Sequence, residues 1–196
     1  MTTLLDAIEK VLRPGLVQRG PLLLEETSPK SICKPIALHK NGQPWVQAIM
    51  LRPDRVACAG MSIQDRLFPL FHHLIAGVAV MCDYIVFCQD IRRPECLFVL
   101  HCELKSNNPE GSRQQIENGR LLADYVLEMA KYHHALRDMP TVERRGLVFR
   151  PGVGVPKDNL FKKRCGYAPP YSDGFDDLLF AHYPDGKEYP LSHFCA

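Results

Sequence analysis

The chain lacks the long hydrophobic segments of membrane proteins. Its longest uncharged apolar run extends from Leu74 to Cys82, which is too short to cross a bilayer as a helix. The first residues, Met1 to Asp6, include neither a basic stretch nor an apolar stretch, so we expect no secretion signal. These two absences favour a cytoplasmic protein without membrane contact.

Motifs of several common enzyme classes are also missing. The sequence contains no GxSxG serine elbow, no HExxH zinc motif and no phosphate-binding P-loop. It has 8 cysteines, but none of them are arranged as CxxC or in another zinc-binding spacing. Cys102 directly follows His101, and adjacent strand residues face opposite ways, so the two cannot form a catalytic dyad. We therefore expect reduced, mostly buried thiols.

Neither sign of charge is in large excess. The net charge of +2 neither requires nor excludes a nucleic-acid partner, so any basic surface must be local. One local cluster, whose default interpretation is a solvated surface, consists of Lys157, Lys162, Lys163 and Arg164. The length of 196 residues, with 46% hydrophobic and 23% charged content, predicts one soluble domain spanning residues 1–196.

Apolar periodicity predicts the elements of the first half of the chain. Leucines and other apolar residues recur at helical spacing from Thr3 to Leu12. Residues 16–44 contain scattered Pro, Gly and Lys, and we expect them to be irregular. Trp45 to Leu51 is a predicted strand, and Val56 to Ala59 a second short one. Ser62 is a predicted N-cap for a helix that ends at Gly77.

Acidic residues interrupt two apolar strands in the middle of the chain. Asp83 precedes the β-rich run Tyr84 to Phe87, and Glu103 and Lys105 close the next predicted strand. Side chains alternate along a strand, so Glu103 and Lys105 point the same way. If the two strands pair, Asp83 comes close to Glu103. Two converging carboxylates would suit Mg²⁺ or Mn²⁺.

A long helix and a further strand follow. Ser112 is its predicted N-cap, and Gln115 lies in its first turn. Arg145 to Arg150 is the next predicted strand, which completes an α/β order of αβββαβ. We expect the core to occupy about residues 45–150, with residues 151–196 as an irregular C-terminal arm.

The order Asp, then Glu-x-Lys on the next strand, then a helix carrying Gln resembles the PD-(D/E)XK nuclease superfamily. Asp83, Glu103, Lys105 and Gln115 match that pattern over roughly the middle quarter of the chain. One departure is that Asp83 follows Cys82, where the family name has proline.

The resemblance implies a restriction-endonuclease-like fold, in which a mixed sheet is flanked by helices, and a metal-dependent nuclease activity. Mg²⁺ or Mn²⁺ would be held by Asp83, Glu103 and the Leu104 carbonyl. Lys105 would orient water or stabilise developing charge, and Gln115 would help to position water or substrate. The implied substrate is nucleic acid, DNA more than RNA, in restriction, anti-phage defence or repair. The small size suggests a homodimer or a subunit of a larger complex.

Three points stay open at the level of sequence. An additional metal ligand could come from Gln64 or Asp65, whereas Glu9 is better interpreted as a surface residue of the first helix. A catalytically silent nuclease-fold subunit that acts as a nucleic-acid-binding or assembly module is the first alternative. An unrelated α/β protein, in which Glu103 and Lys105 form only an ion pair at a strand end, is the second.

Overall fold

A computed structural model gives the fold of the chain. It describes residues 3–13, 15–26, 30–53, 75, 77–78, 80–106, 108, 110–134, 136, 138–153 and 178–195. Within them are two α-helices, α1 (Leu4–Val11) and α2 (Ser112–His133), and a 3-10 turn at Leu191–His193. The strands are β1 (Val17–Arg19), β2 (Leu22–Leu24), β3 (Ile36–His39), β4 (Val46–Leu51), β5 (Tyr84–Asp90), β6 (Cys96–Leu104), β7 (Thr141–Arg150), β8 (Leu178–Pro184) and β9 (Glu188–Pro190).

The strands form two sheets. The main sheet has the order β1-β4-β5-β6-β7-β8, antiparallel from β1 to β6 and parallel from β6 to β8. The smaller sheet has the order β2-β3-β9. The general expectation of an α/β protein with a mixed sheet and flanking helices is therefore confirmed. No helix in the described part of the chain has the length and apolar character needed to cross a membrane.

Each face of the main sheet covers its own apolar layer. Val86 packs with Leu38 and Phe149 toward the small sheet, whereas Phe87, the next residue of β5, packs with Ile116 toward the helices. A strand with both faces covered carries apolar residues at successive positions. This explains why Tyr84 to Cys88 of β5 and Leu97 to Leu100 of β6 read as continuous hydrophobic runs.

The two helices begin in different ways. The Thr3 hydroxyl accepts a hydrogen bond from Asp6 N at 3.2 Å, and the Asp6 carboxylate accepts one from Thr3 N at 3.2 Å. This capping box starts α1 where the sequence predicts it. The predicted N-cap of α2, Ser112, is instead its first helical residue. Gly111 precedes it in the left-handed conformation with φ of 76°, which glycine adopts without strain.

Two segments predicted to be irregular contain strands. Residues 16–44 include β1, β2 and β3, and residues 178–190 of the predicted C-terminal arm include β8 and β9. Most of these strands have only three or four residues. They are held by partners far along the chain: β1 pairs with β4, and β3 pairs with β9. Local periodicity cannot show such pairing, so both predictions are wrong in these segments.

Some predicted elements lie outside the described residues. They are the strand Val56 to Ala59, the helix that begins at Ser62, with Gln64 and Asp65, and the basic cluster Lys157, Lys162, Lys163 and Arg164.

The packing of α2 on the sheet generates a stability prediction. A Cβ added at Gly119 would collide with Cys82 Sγ and would approach His101 Nδ1 to 3.5 Å. Helix propensity alone would make Gly119→Ala stabilising by about 1 kcal/mol. We expect the collision to dominate, so that the free energy of unfolding falls by about 1–3 kcal/mol.

Urea denaturation of Gly119→Ala beside the wild type measures this change. Glu128→Ala is the control, because Glu128 is exposed on the same helix and its truncation should change stability by less than about 0.5 kcal/mol. A Gly119→Ala protein as stable as the wild type would show that α2 does not depend on this close approach.

Candidate functional site

Asp83 and Glu103 lie opposite each other at one end of the β5–β6 pair. The register of these antiparallel strands pairs Tyr84 with Cys102, so the next pair outward is Asp83 with Glu103. Directly opposite residues of antiparallel strands project from the same face. The Asp83 Oδ2 atom also accepts a hydrogen bond from Leu104 N at 2.7 Å. The strand pairing therefore brings Asp83 and Glu103 to neighbouring positions, as the sequence predicts for paired strands.

Glu103 is buried on the face that α2 covers. Both of its neighbours, Cys102 and Leu104, pack into the opposite layer, and only 2% of its own surface is exposed. Its Oε1 atom lies 2.8 Å from Lys105 Nζ. Its Oε2 atom is buried and has no hydrogen-bond partner among the described residues. Burial raises the pKa of Glu103, although the Lys105 ammonium and the Asp83 backbone N–H oppose that rise.

Lys105 connects the strand end to the helix. Its Nζ atom donates to Gln115 Oε1 at 2.5 Å as well as contacting Glu103. Gln115 is held in place by two further hydrogen bonds. Its side-chain Nε2 atom donates to Met81 O at 3.3 Å, and its backbone carbonyl accepts from Cys82 N at 3.0 Å. The structure thus brings Asp83, Glu103, Lys105 and Gln115 together in one cluster.

Glu26 is a further acidic residue whose charge acts on Glu103, and it was not predicted from the sequence. The negative charge of Glu26 raises the pKa of Glu103. This effect is smaller than those of burial and of Lys105. The Tyr84 hydroxyl fixes this part of the chain, since it accepts from Glu25 N at 2.8 Å and donates to Glu25 O at 2.6 Å. Two acidic residues directly after the apolar run of β2 were the available signal.

The other candidates behave as surface or core residues. Glu9 accepts from Arg19 Nε at 2.6 Å in an exposed ion pair on α1, which agrees with its interpretation as a surface residue. His101 is buried beside Gly119 on the α2 side, while Cys102 packs in the opposite layer. Burial, with the nearby Arg144 and Arg120 charges, lowers the pKa of His101 to about 3. A His101–Cys102 dyad does not form.

The oxygen atoms of the cluster fit a hard divalent cation. No group of three or more His, Cys, Asp or Glu residues with metal-binding geometry occurs in the described part of the chain. Asp83 and Glu103 nevertheless occupy opposite positions and supply two carboxylates at one strand end, where the Leu104 carbonyl is a third oxygen. The buried Glu103 Oε2 atom, which lacks a protein donor there, is the oxygen for which a cation would compensate. Such donors suit Mg²⁺ or Mn²⁺.

Metal binding at this cluster predicts a thermal shift. A cation that binds only the folded protein stabilises it in proportion to the logarithm of its concentration. Addition of Mg²⁺ or Mn²⁺ to EDTA-treated protein should therefore raise the melting temperature of the wild type. We expect Asp83→Asn and Glu103→Gln to remove most of that rise. Glu9→Gln, which alters a carboxylate on the surface of α1, should keep it, and an equal rise in all four proteins would contradict binding at this cluster.

Comparisons with known proteins add no relative. None of the family models, curated proteins or solved structures with which the chain was compared matches it. The predicted resemblance to the PD-(D/E)XK superfamily therefore rests on the sequence pattern of Asp83, Glu103, Lys105 and Gln115.

Proposed function

We propose that this chain is a divalent-metal-dependent nuclease that hydrolyses phosphodiester bonds of nucleic acid, with DNA favoured over RNA. The observation that carries the proposal is the convergence of Asp83, Glu103, Lys105 and Gln115. Carboxylates that can hold a divalent cation, beside a lysine that can face a phosphate, suit metal-assisted phosphoryl hydrolysis. A role in restriction, defence or repair, as a homodimer or as part of a larger complex, agrees with this chemistry.

The connections around the cluster support a restriction-endonuclease-like core. Strands β4, β5 and β6 form an antiparallel meander, and α2 then crosses to β7, which is parallel to β6. This is the βββαβ part of the expected order. The meander places Asp83 and Glu103 side by side, and the crossover brings the first turn of α2 to the same end of the sheet.

Different groups of the chain would bind the cation and contact the reacting phosphate. Asp83 and Glu103, with the Leu104 carbonyl, would hold the cation. A bound Mg²⁺ or Mn²⁺ supplies a water of lowered pKa and positive charge against the phosphate oxygens. Substrate binding in turn excludes water from the cluster, which strengthens these electrostatic interactions.

Lys105 would donate to the substrate directly. Its ammonium group has three N–H donors, and Glu103 and Gln115 accept two of them. The third can reach a phosphate oxygen or the attacking water. Gln115 is a positioning residue, since its amide oxygen fixes the lysine and its amide nitrogen is bound to Met81 O.

Cleavage assays test the function. With Mg²⁺ or Mn²⁺, the protein should cut at least one of four substrates: plasmid, linear duplex DNA, single-stranded DNA or RNA. Asp83→Asn, Glu103→Gln and Lys105→Met should each lower the rate by about 10²-fold or more, because each removes charge stabilisation at the reacting phosphate. Gln115→Leu should lower it less, by about tenfold, because Lys105 keeps its contact with Glu103.

Matched controls separate these effects from general damage. Lys10→Met removes an exposed lysine of α1, and Gln114→Leu alters the exposed residue next to Gln115; both should cut at the wild-type rate. Cleavage that survives in Asp83→Asn and Lys105→Met would assign it to a contaminant and would overturn the proposal. Metal-dependent DNA binding without any cleavage would instead favour a catalytically silent nuclease-fold subunit.

A further inference from the structure

The face of the main sheet that carries Glu103 continues across two more strands. Glu103 is level with Val148 on β7, and Val148 is level with His182 on β8. Residues that are level on neighbouring strands lie about 4.8 Å apart, so about 10 Å separates the backbone positions of Glu103 and His182. The row thus leads from the carboxylates to a histidine along one edge of the sheet.

Arg150 projects from the same face, next to that row. Val148 packs on the α2 side and Phe149 on the small-sheet side, so alternation directs Arg150 to the α2 side. Both neighbours of His182 on β8 pack in the small-sheet layer, which directs the histidine to the α2 side too. Arg150 is close enough to His182 for its positive charge to lower the pKa of the histidine. Burial of His182 is the larger cause of that lowering.

Arg150 and Lys105 are neighbouring cations at the ends of parallel strands. Lys105 N donates to Phe149 O at 2.9 Å, so the backbone of Lys105 lies next to that of Arg150. The charge of Lys105 is matched by Glu103. No carboxylate in the described ranges pairs with Arg150, and its Nε atom is buried without a hydrogen-bond partner there. A buried guanidinium N–H without an acceptor is costly unless an anion binds it.

We propose that Arg150 and His182 form a phosphate-binding subsite, which holds the phosphate next to the one that reacts at Asp83 and Glu103. The proposal rests on the nuclease function and specifies its substrate as a polynucleotide, because a mononucleotide has no second phosphodiester to place there. The planar guanidinium of Arg150 matches two phosphate oxygens. The imidazole of His182 donates one further N–H.

Nucleic-acid binding without cleavage tests the subsite. The probe is a fluorescein-labelled DNA of about 20 nucleotides, single-stranded or duplex, titrated with protein in EDTA and followed by anisotropy. Arg150→Gln should weaken binding about tenfold and reduce the slope of log Kd against log salt by about one, because one phosphate contact is lost. The affinity of Arg150→Lys should lie between those of the wild type and Arg150→Gln, since lysine keeps the charge but lacks the planar guanidinium.

Steady-state cleavage adds a second readout. Arg150→Gln should raise KM about tenfold and lower kcat less than about threefold, because the subsite binds ground state and transition state alike. Lys40→Met is the control for loss of one positive charge, since Lys40 is exposed after β3 on the other side of the main sheet; its affinity should equal that of the wild type. Melting temperatures verify that the variants are folded.

Two negative results have different meanings. If the wild type cuts DNA, and Arg150→Gln binds with wild-type affinity and salt slope, the subsite is overturned and the nuclease stands. If the wild type neither binds nor cuts any probe, the nuclease proposal fails and the subsite fails with it. Weaker binding by Arg150→Gln and Lys40→Met alike would also overturn the subsite, because it would show a general effect of charge.

Discussion

The burial of the Glu103 carboxylate is the constraint on which the site depends. A carboxylate removed from water loses several kcal/mol of hydration unless charges or donors replace it. Lys105 replaces part of that hydration at one oxygen, while the other oxygen has no protein donor within the described residues. An apolar side chain would fill this position on β6 at lower cost. The Glu103 oxygen without a donor is the feature on which the proposed cation binding rests.

The helix α2 determines which groups can reach that carboxylate. It enters through Gly111 in the left-handed conformation, and its Gly119 lets it approach Cys82 and His101 closely. The contact at Gly119 determines the distance between α2 and the sheet, and the turn at Gly111 determines where the first residues of α2 lie. Gln115 therefore meets Lys105 because of a packing contact one helical turn further along α2.

The parts of the molecule that could be predicted from sequence are those determined by local pattern. The apolar runs of β5 and β6 and the helical stripe of α2 locate Asp83, Glu103 and Lys105, and alternation alone places two of them on one face. The strands β1, β3 and β9 were missed because their hydrogen bonds come from distant segments. Glu26 was missed for the same reason: its place near Glu103 depends on how β2 and the Tyr84 hydroxyl hold the chain.

Mixed strand direction explains why acidic and basic groups meet at one edge. β6, β7 and β8 are parallel, so Lys105, Arg150 and the last residues of β8 lie at their carboxyl ends. β5 is antiparallel to β6, so Asp83, which precedes β5, lies at that edge as well. Carboxyl ends of strands are a common place for ligands in α/β sheets. A phosphodiester needs a cation at the reacting phosphate, which carboxylates would hold, and positive side chains along its backbone. Acidic and basic side chains largely cancel in the net charge of +2, so the net charge shows neither group.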